Sequence, residues 1–250
     1  MRLASKTRWR HLTVNSEDFS EIQITKFNLS DRSLARLGWV LPLLTVTCSM
    51  SVHLLSGHAR DVPFFISESD YPGLERWIFT TGLAMSGVVL CLLSGRFQRM
   101  FIHSEHSNRV RLSYFSGMTT GFSLVVLAFA NMYDFLILHC IASIFVFGGG
   151  LVWGSSTHLL FDLSIRAASS LRRIGLFLAL IGFVVMNVTI TLYVAFKRAE
   201  LTKNGSLQIK LDEIQPAIDI AAPAEYLLFL GLVITMASIA RDLKENKTSH

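Results

Sequence analysis

The sequence predicts an all-α fold, a polytopic membrane protein built as a six-transmembrane-helix bundle, on three observations. First, 51% of the 250 residues are hydrophobic and only 16% are charged, with a mean hydropathy of +0.47. A water-soluble domain of this size carries nearer a quarter charged residues, because its surface must be wetted. Second, the apolar residues come in six blocks rather than in periodic stripes. Each block approaches the roughly 20 residues that a helix needs to cross about 30 Å of hydrocarbon. Third, the basic residues fall on one side of those blocks more than three times as often as on the other.

The blocks lie at residues 37–57, 77–95, 112–130, 135–161, 174–196 and 223–240. The second and sixth are short and the fourth is long, so their tilts are expected to differ. This divides the chain into an N-terminal tail (1–36), a membrane domain (37–243) and a short C-terminal tail (244–250). The apolar run of the first helix starts behind a polar tail and is too long for the h-region of a cleaved signal peptide, so it is expected to act as an uncleaved anchor.

Orientation follows from Lys and Arg. Counting the first tail, the second loop, the fourth loop and the last tail, seventeen of the 23 fall on one side and five on the other, with Arg76 at the mouth of helix two. The positive-inside rule then places both termini in the cytosol. The net charge of +5 mostly records that bias, with some attraction to anionic lipid headgroups. No basic module interleaved with aromatics is present, so a nucleic-acid partner is not expected. The expected partners are membrane lipids, with proteins engaged through the cytosolic tails and loops.

The three cysteines, Cys48, Cys91 and Cys140, all lie inside predicted helices. No pair sits in a lumenal loop to form a disulfide framework, and the expected role is apolar packing. No zinc-type Cys/His spacing is visible, and no cofactor is expected. Of the glycosylation sequons, Asn204-Gly205-Ser206 in the lumenal fifth loop is usable. Those at Asn28, Asn187 and Asn246 fall in cytosolic tails or a membrane helix and should be silent.

Small residues mark close helix contacts: Gly117-x-x-x-Gly121 in helix three and Gly148-Gly149-Gly150 in helix four. Packing is the main reading, and a break of helix four at the triple glycine, lining a lipid cleft, is the alternative. No string of intramembrane acids or arginines suggests an ion or substrate route.

The informative polar residues gather at the lumenal face: His58, Ser67, Glu68, Glu75, His139 and Glu225. Glu75 and Glu225 are expected in the first turns of helices two and six, where the helix dipole favours a carboxylate. His139 lies about one turn into helix four. Together Glu68, Glu75, His139 and Glu225 are expected to form one polar pocket under the first loop, able to hold a lipid headgroup or to perform acid–base chemistry.

Several segments are similar to the damage-regulated autophagy modulator (DRAM) family. They are Leu55-Ser56-Gly57-His58, Pro63-Phe64-Phe65-Ile66-Ser67-Glu68, Tyr71-Pro72 with Glu75, Asn131 with His139, Ala224-Glu225-Tyr226 and Arg241-Asp242-Leu243. The likeness spans residues 37 to 243. It departs from the family pattern at Ala224 (cysteine in the family), Tyr226 (tryptophan) and Leu243 (phenylalanine). The resemblance implies a lysosomal or endosomal membrane protein that promotes autophagy, without proven catalysis. The wider Frag/DRAM/Sfk superfamily implies two alternatives. One is a remodelling factor for GPI-anchor lipids in Golgi or ER, with His139 as base and Glu68 or Glu225 as its partner. The other is a plasma-membrane regulator of a phosphoinositide kinase.

Overall fold

The computed structural model describes residues 29–165, 169–203 and 211–245. Six helices carry the chain: α1 (Asp31–Leu55), α2 (Leu74–Met100), α3 (Ser107–Phe129), α4 (Leu136–Ile165), α5 (Ser170–Lys203) and α6 (Gln215–Glu245), with short 3-10 turns at Ile66–Ser69 and Leu211–Ile214. Each of the six is long and apolar enough to cross a membrane. Their outer surface is correspondingly apolar, with side chains such as Phe122, Ile137 and Leu192 turned outward where hydrocarbon would cover them. The protein is an all-α polytopic membrane bundle.

The helices extend further than hydropathy alone indicates. Helix α2 has 27 residues and α6 has 31, so neither is short, and α5, at 34, is the longest. Local chemistry explains the extensions. Helix α1 begins at Asp31 because the Ser30 hydroxyl accepts the Ser33 N–H at 3.1 Å, satisfying a donor the helix cannot. Helix α6 begins eight residues before Pro223, which lies inside it. Proline removes one backbone donor, but it does not end this helix.

Packing follows chain order from α1 to α4. Helix α6 returns beside α1, and α5 packs on α6. Small residues set the closest approaches. A Cβ on Gly87 would lie 2.5 Å from the Gly121 carbonyl, and one on Gly231 would lie 2.5 Å from the Ala179 nitrogen. The α2–α3 and α5–α6 backbones are therefore nearly in contact. The triple glycine does not break α4, which runs without interruption. Gly149 instead makes room for Thr120 of α3, and Gly150 packs near Leu232 of α6.

Toward the end of the bundle that holds the α2–α3 connection, Phe97, Phe101, Trp153 and Phe161 form an aromatic core with Leu93 and Ile239. The Phe97 and Trp153 rings stack in parallel at 6.2 Å. All three cysteines are free, but only Cys91 is partly enclosed. Cys48 and Cys140 lie exposed on the outer surface, so the expected packing role does not hold for them. Asn204 lies outside the described residues.

Candidate functional site beneath the first loop

The connection between α1 and α2 does not project from the bundle. It folds back over one end of it and is tied there by side chains from α1, α2, α6 and the α3–α4 turn. This capped face contrasts with the opposite face, where the described chain begins and ends.

The cap starts at the end of α1. Gly57, at φ 72°, adopts the left-handed conformation that glycine accepts without penalty. The Gly57 N–H reaches the Leu54 carbonyl and the His58 N–H reaches the His53 carbonyl, both at 3.2 Å. These paired bonds close the helix as a Schellman motif and return His58 over the last turn, beside His53. Both imidazoles then face Glu75, the second residue of α2. His58 Nδ1 lies 2.5 Å and His53 Nδ1 3.6 Å from Glu75 Oε1.

The 3-10 turn at 66–69 forms the centre of the cap. Glu68 folds back to accept the Phe65 N–H at 3.0 Å and pairs with Arg60 at 3.2 Å. Arg60 continues to Asp212 at 3.3 Å and donates a short hydrogen bond to Gln215. Ser49, fully buried in α1, lies within hydrogen-bonding distance of Ser69 Oγ at 3.0 Å, the Ser69 carbonyl at 3.1 Å and the Glu75 carbonyl at 3.2 Å. Arg76 donates to the Asp70 carbonyl through Nε and Nη2 and lies 3.4 Å from the Asp70 carboxylate. Asp70 itself is buried. Burial pushes its carboxyl up to about 7, against the pull of Arg76 and with a small push from Asp134.

Two more elements grip the cap. Asn131 closes the α3–α4 turn by accepting the Tyr133 and Asp134 N–H groups. This sets the Tyr133 hydroxyl to donate to the Glu68 carbonyl at 2.8 Å, and burial raises that hydroxyl above its usual range. From α6, Glu225 accepts the Ile66 N–H at 2.7 Å, and the neighbouring Tyr226 hydroxyl donates to the Phe64 carbonyl. Glu225 sits ten residues into α6 rather than in its first turn. The helix dipole therefore does not account for it; the backbone amide it accepts does.

Below the cap lies a slot of about 130 Å³ between α1, α2, α3, α4 and α6. Ser67, His139 and Glu225 line its capped end, and Leu90, Trp153 and Met236 its far end. From Glu225 to Met236 is eleven residues of α6, roughly 16 Å along the helix. The slot is mainly apolar: its acid and its imidazole lie at the cap, and the hydroxyls of Ser86, Thr120 and Thr235 along its length donate to carbonyls of their own helices. A dry apolar cavity of about 150 Å³ accepts a small hydrocarbon, and this one has the shape to accept a stretch of lipid chain. His139 Nδ1 donates to the Ala130 carbonyl at 2.7 Å, because a carbonyl can only accept, and this leaves Nε2 as the acceptor.

The four residues expected to share one pocket therefore divide. His139 and Glu225 line the slot; Glu68 belongs to the Arg60 network above it; Glu75 faces the two histidines at the α1–α2 mouth. Sequence reasoning did not assign His53, Asp70 or Ser49 to this face, and it took Arg60 only as one of the five basic residues on this side. The pair His53 and His58, five apart across a helix-ending glycine, was a readable signal of the Schellman closure. Arg60 and Asp70 left no such signal, since their partners lie on distant segments or within an irregular loop.

Comparison with curated proteins and with solved structures gives no match to the chain. A family model, the Frag1/DRAM/Sfk1/Cwh43P N-terminal domain, matches residues 34–246, a span that holds every element of the cap and the slot. With α2 to α6 and all but the first three residues of α1 inside that match, the chain belongs to the Frag1/DRAM/Sfk1/Cwh43P N-terminal domain family.

Proposed function

We propose that this chain is a DRAM-like protein of lysosomal and endosomal membranes that promotes autophagy by seating a membrane lipid chain in the slot, without itself catalysing a reaction. The slot carries this reading: its lining is mainly apolar, and its acid and imidazole, Glu225 and His139, sit beneath the cap. His139 and Glu225 are both engaged in holding backbone groups, which suits an anchoring role better than proton transfer. The stretch Ile66-Ser67-Glu68, which forms the 3-10 turn, favours the DRAM branch of the family.

The test compares His139→Ala and Glu225→Gln with the parent at matched protein levels. Autophagic flux and surface retention of GPI-anchored proteins are both measured. Gln keeps an acceptor for the Ile66 N–H, so Glu225→Gln should fold. Flux should fall to the level of cells lacking the protein, while anchored proteins stay at the surface and the variants stay abundant and correctly located. Loss of anchored proteins with normal flux would make the chain a GPI-lipid remodelling factor instead. Parental behaviour in both assays would mean that neither residue serves function.

We further infer that both termini face the cytosol and the cap faces the lumen. The bias in basic residues supports this orientation, and it survives removing Arg172, which is buried, from the count. In sealed vesicles, tags at either end should be digested by added protease, while Asn204 should carry a glycan. A protected N-terminal tag would reverse the orientation.

A further inference from the structure

We propose that His53, His58 and Glu75 form a binding site for a divalent transition-metal ion of the zinc class, clasping the end of α1 to the start of α2. One donor atom from each residue lies within 4.8 Å of the others. Tetrahedral zinc, with bonds of about 2.0–2.2 Å, spaces its ligand atoms roughly 3.3–3.5 Å apart. The His53–Glu75 separation of 3.6 Å already matches that spacing, and the His58–Glu75 separation of 2.5 Å needs to open by about 1 Å.

The backbone fixes the three donors. The Schellman closure pins His53 and His58 to each other through their main chains. The absence of a side chain at Gly73 leaves room for the third donor: a Cβ there would lie 2.6 Å from Glu75 Oε2. The Ser49 hydroxyl, 3.2 Å from the Glu75 carbonyl, holds the start of α2 against α1. The donors therefore sit on two secondary elements already locked together, which is how a small site acquires fixed geometry.

A second observation points to a ligand. His53 is 1% exposed, and its Nδ1 has no hydrogen-bond partner among the described residues. At 3.6 Å from Glu75, it lies beyond hydrogen-bonding reach. The His58–Glu75 hydrogen bond explains two members of the cluster and leaves this nitrogen unexplained. Glu75 is equally buried, and its ion-pair partners among the described residues are these two imidazoles, with no Lys or Arg. A buried carboxylate and a buried imidazole nitrogen without a hydrogen bond both gain from a shared cation.

The donor set selects the ion class. Two imidazoles and one carboxylate suit zinc and similar transition ions, whereas calcium and magnesium favour all-oxygen sites. Three protein ligands leave a further coordination position. His58 is 36% exposed, so the site opens toward water beside the Tyr71 ring, 4.7 Å from the His58 ring.

The experiment uses the full chain in detergent, free of any histidine tag, stripped with chelator and titrated with Zn²⁺ alone. The parent should bind one equivalent and melt several degrees higher with the ion, as expected for a ligand that binds only the folded state. His58→Ala and Glu75→Gln should each weaken binding at least tenfold and abolish the rise in Tm. His103→Ala, an exposed histidine on the opposite face, should bind as the parent does. Cobalt in place of zinc should give the visible absorption of a tetrahedral site in the parent and lose it in His58→Ala. Because His58 is partly exposed, its replacement leaves the fold intact and decides the matter even if Glu75→Gln fails to fold. Absence of stoichiometric zinc in the parent, or parental zinc affinity in His58→Ala, overturns the proposal.

Discussion

Asp242→Asn should destabilise the protein by about 3–5 kcal/mol, the usual cost of removing one partner from a buried ion pair. Arg172 is fully buried, and its Nη2 donates to Asp242 Oδ2 at 2.7 Å. Its guanidinium also lies 5.1 Å from the centre of the Phe161 ring. The pair thus joins the start of α5 to the end of α6 and rests on α4, at the face opposite the cap. Asparagine preserves shape and an acceptor but removes the Asp242 charge, so the buried guanidinium loses its hydrogen-bonded countercharge. Thermal unfolding in detergent and cellular abundance should both drop. The double change Arg172→Met with Asp242→Leu should recover most of the loss, because the penalty comes from the orphaned charge rather than from lost attraction. If Asp242→Asn melts with the parent, the pair does not hold these helices.

The second large effect is a pH dependence. Between about pH 4 and pH 7, Asp70 should erode stability as pH rises, by as much as about 4 kcal/mol in total. Its buried carboxyl is pushed up to about 7 from the ordinary carboxylate range. Below that ordinary range, folded and unfolded chains both hold the proton and Asp70 has no influence. As pH rises, the unfolded chain releases the proton first, so the folded state bears a growing cost, complete once pH passes the folded value. Asp70→Asn should remove this slope and raise the melting temperature near neutrality, while leaving stability at pH 4 close to that of the parent. Other titrating groups act in both proteins, so the difference between the two curves isolates Asp70. Parallel curves would mean that the carboxyl stays ionised throughout.

Hydropathy made the six helices legible because crossing hydrocarbon imposes a length and an apolarity that no local preference overrides. It was less informative about where they end. Ser30 begins α1 through a hydroxyl that hydropathy does not register, and α6 starts at Gln215, before the apolar run at Pro223. The candidate site was legible in its residues but not in its grouping. Glu68, Glu75, His139 and Glu225 do gather at one face, yet each answers a different partner: Arg60, the paired histidines, the Ala130 carbonyl and the Ile66 amide. Those partners lie from eight to 159 residues away, and no spacing rule connects most of them. Arg172 shows the reverse. Its position beside Arg173 made it read as one of the charges that set orientation, and only three-dimensional packing shows it enclosed against Asp242.

The lengths of α5 and α6 have a further consequence. At 34 and 31 residues they run roughly 51 and 46 Å, against about 30 Å of hydrocarbon. A tilt of about 20° shortens that reach by only a few ångströms. Most of the surplus lies at the capped face, where Lys197 and Arg198 follow the apolar run of α5 and Asp212, Glu213 and Asp219 precede that of α6. The pair therefore rises from the membrane as a two-rod mast, zipped lower down where the Gly231 backbone meets Ala179. Arg60 is its stay: it grips Asp212 and Gln215 at the outer end of α6 and Glu68 in the first loop. Whatever takes hold of the mast from outside the bilayer pulls on the same guanidinium that steadies the roof of the slot.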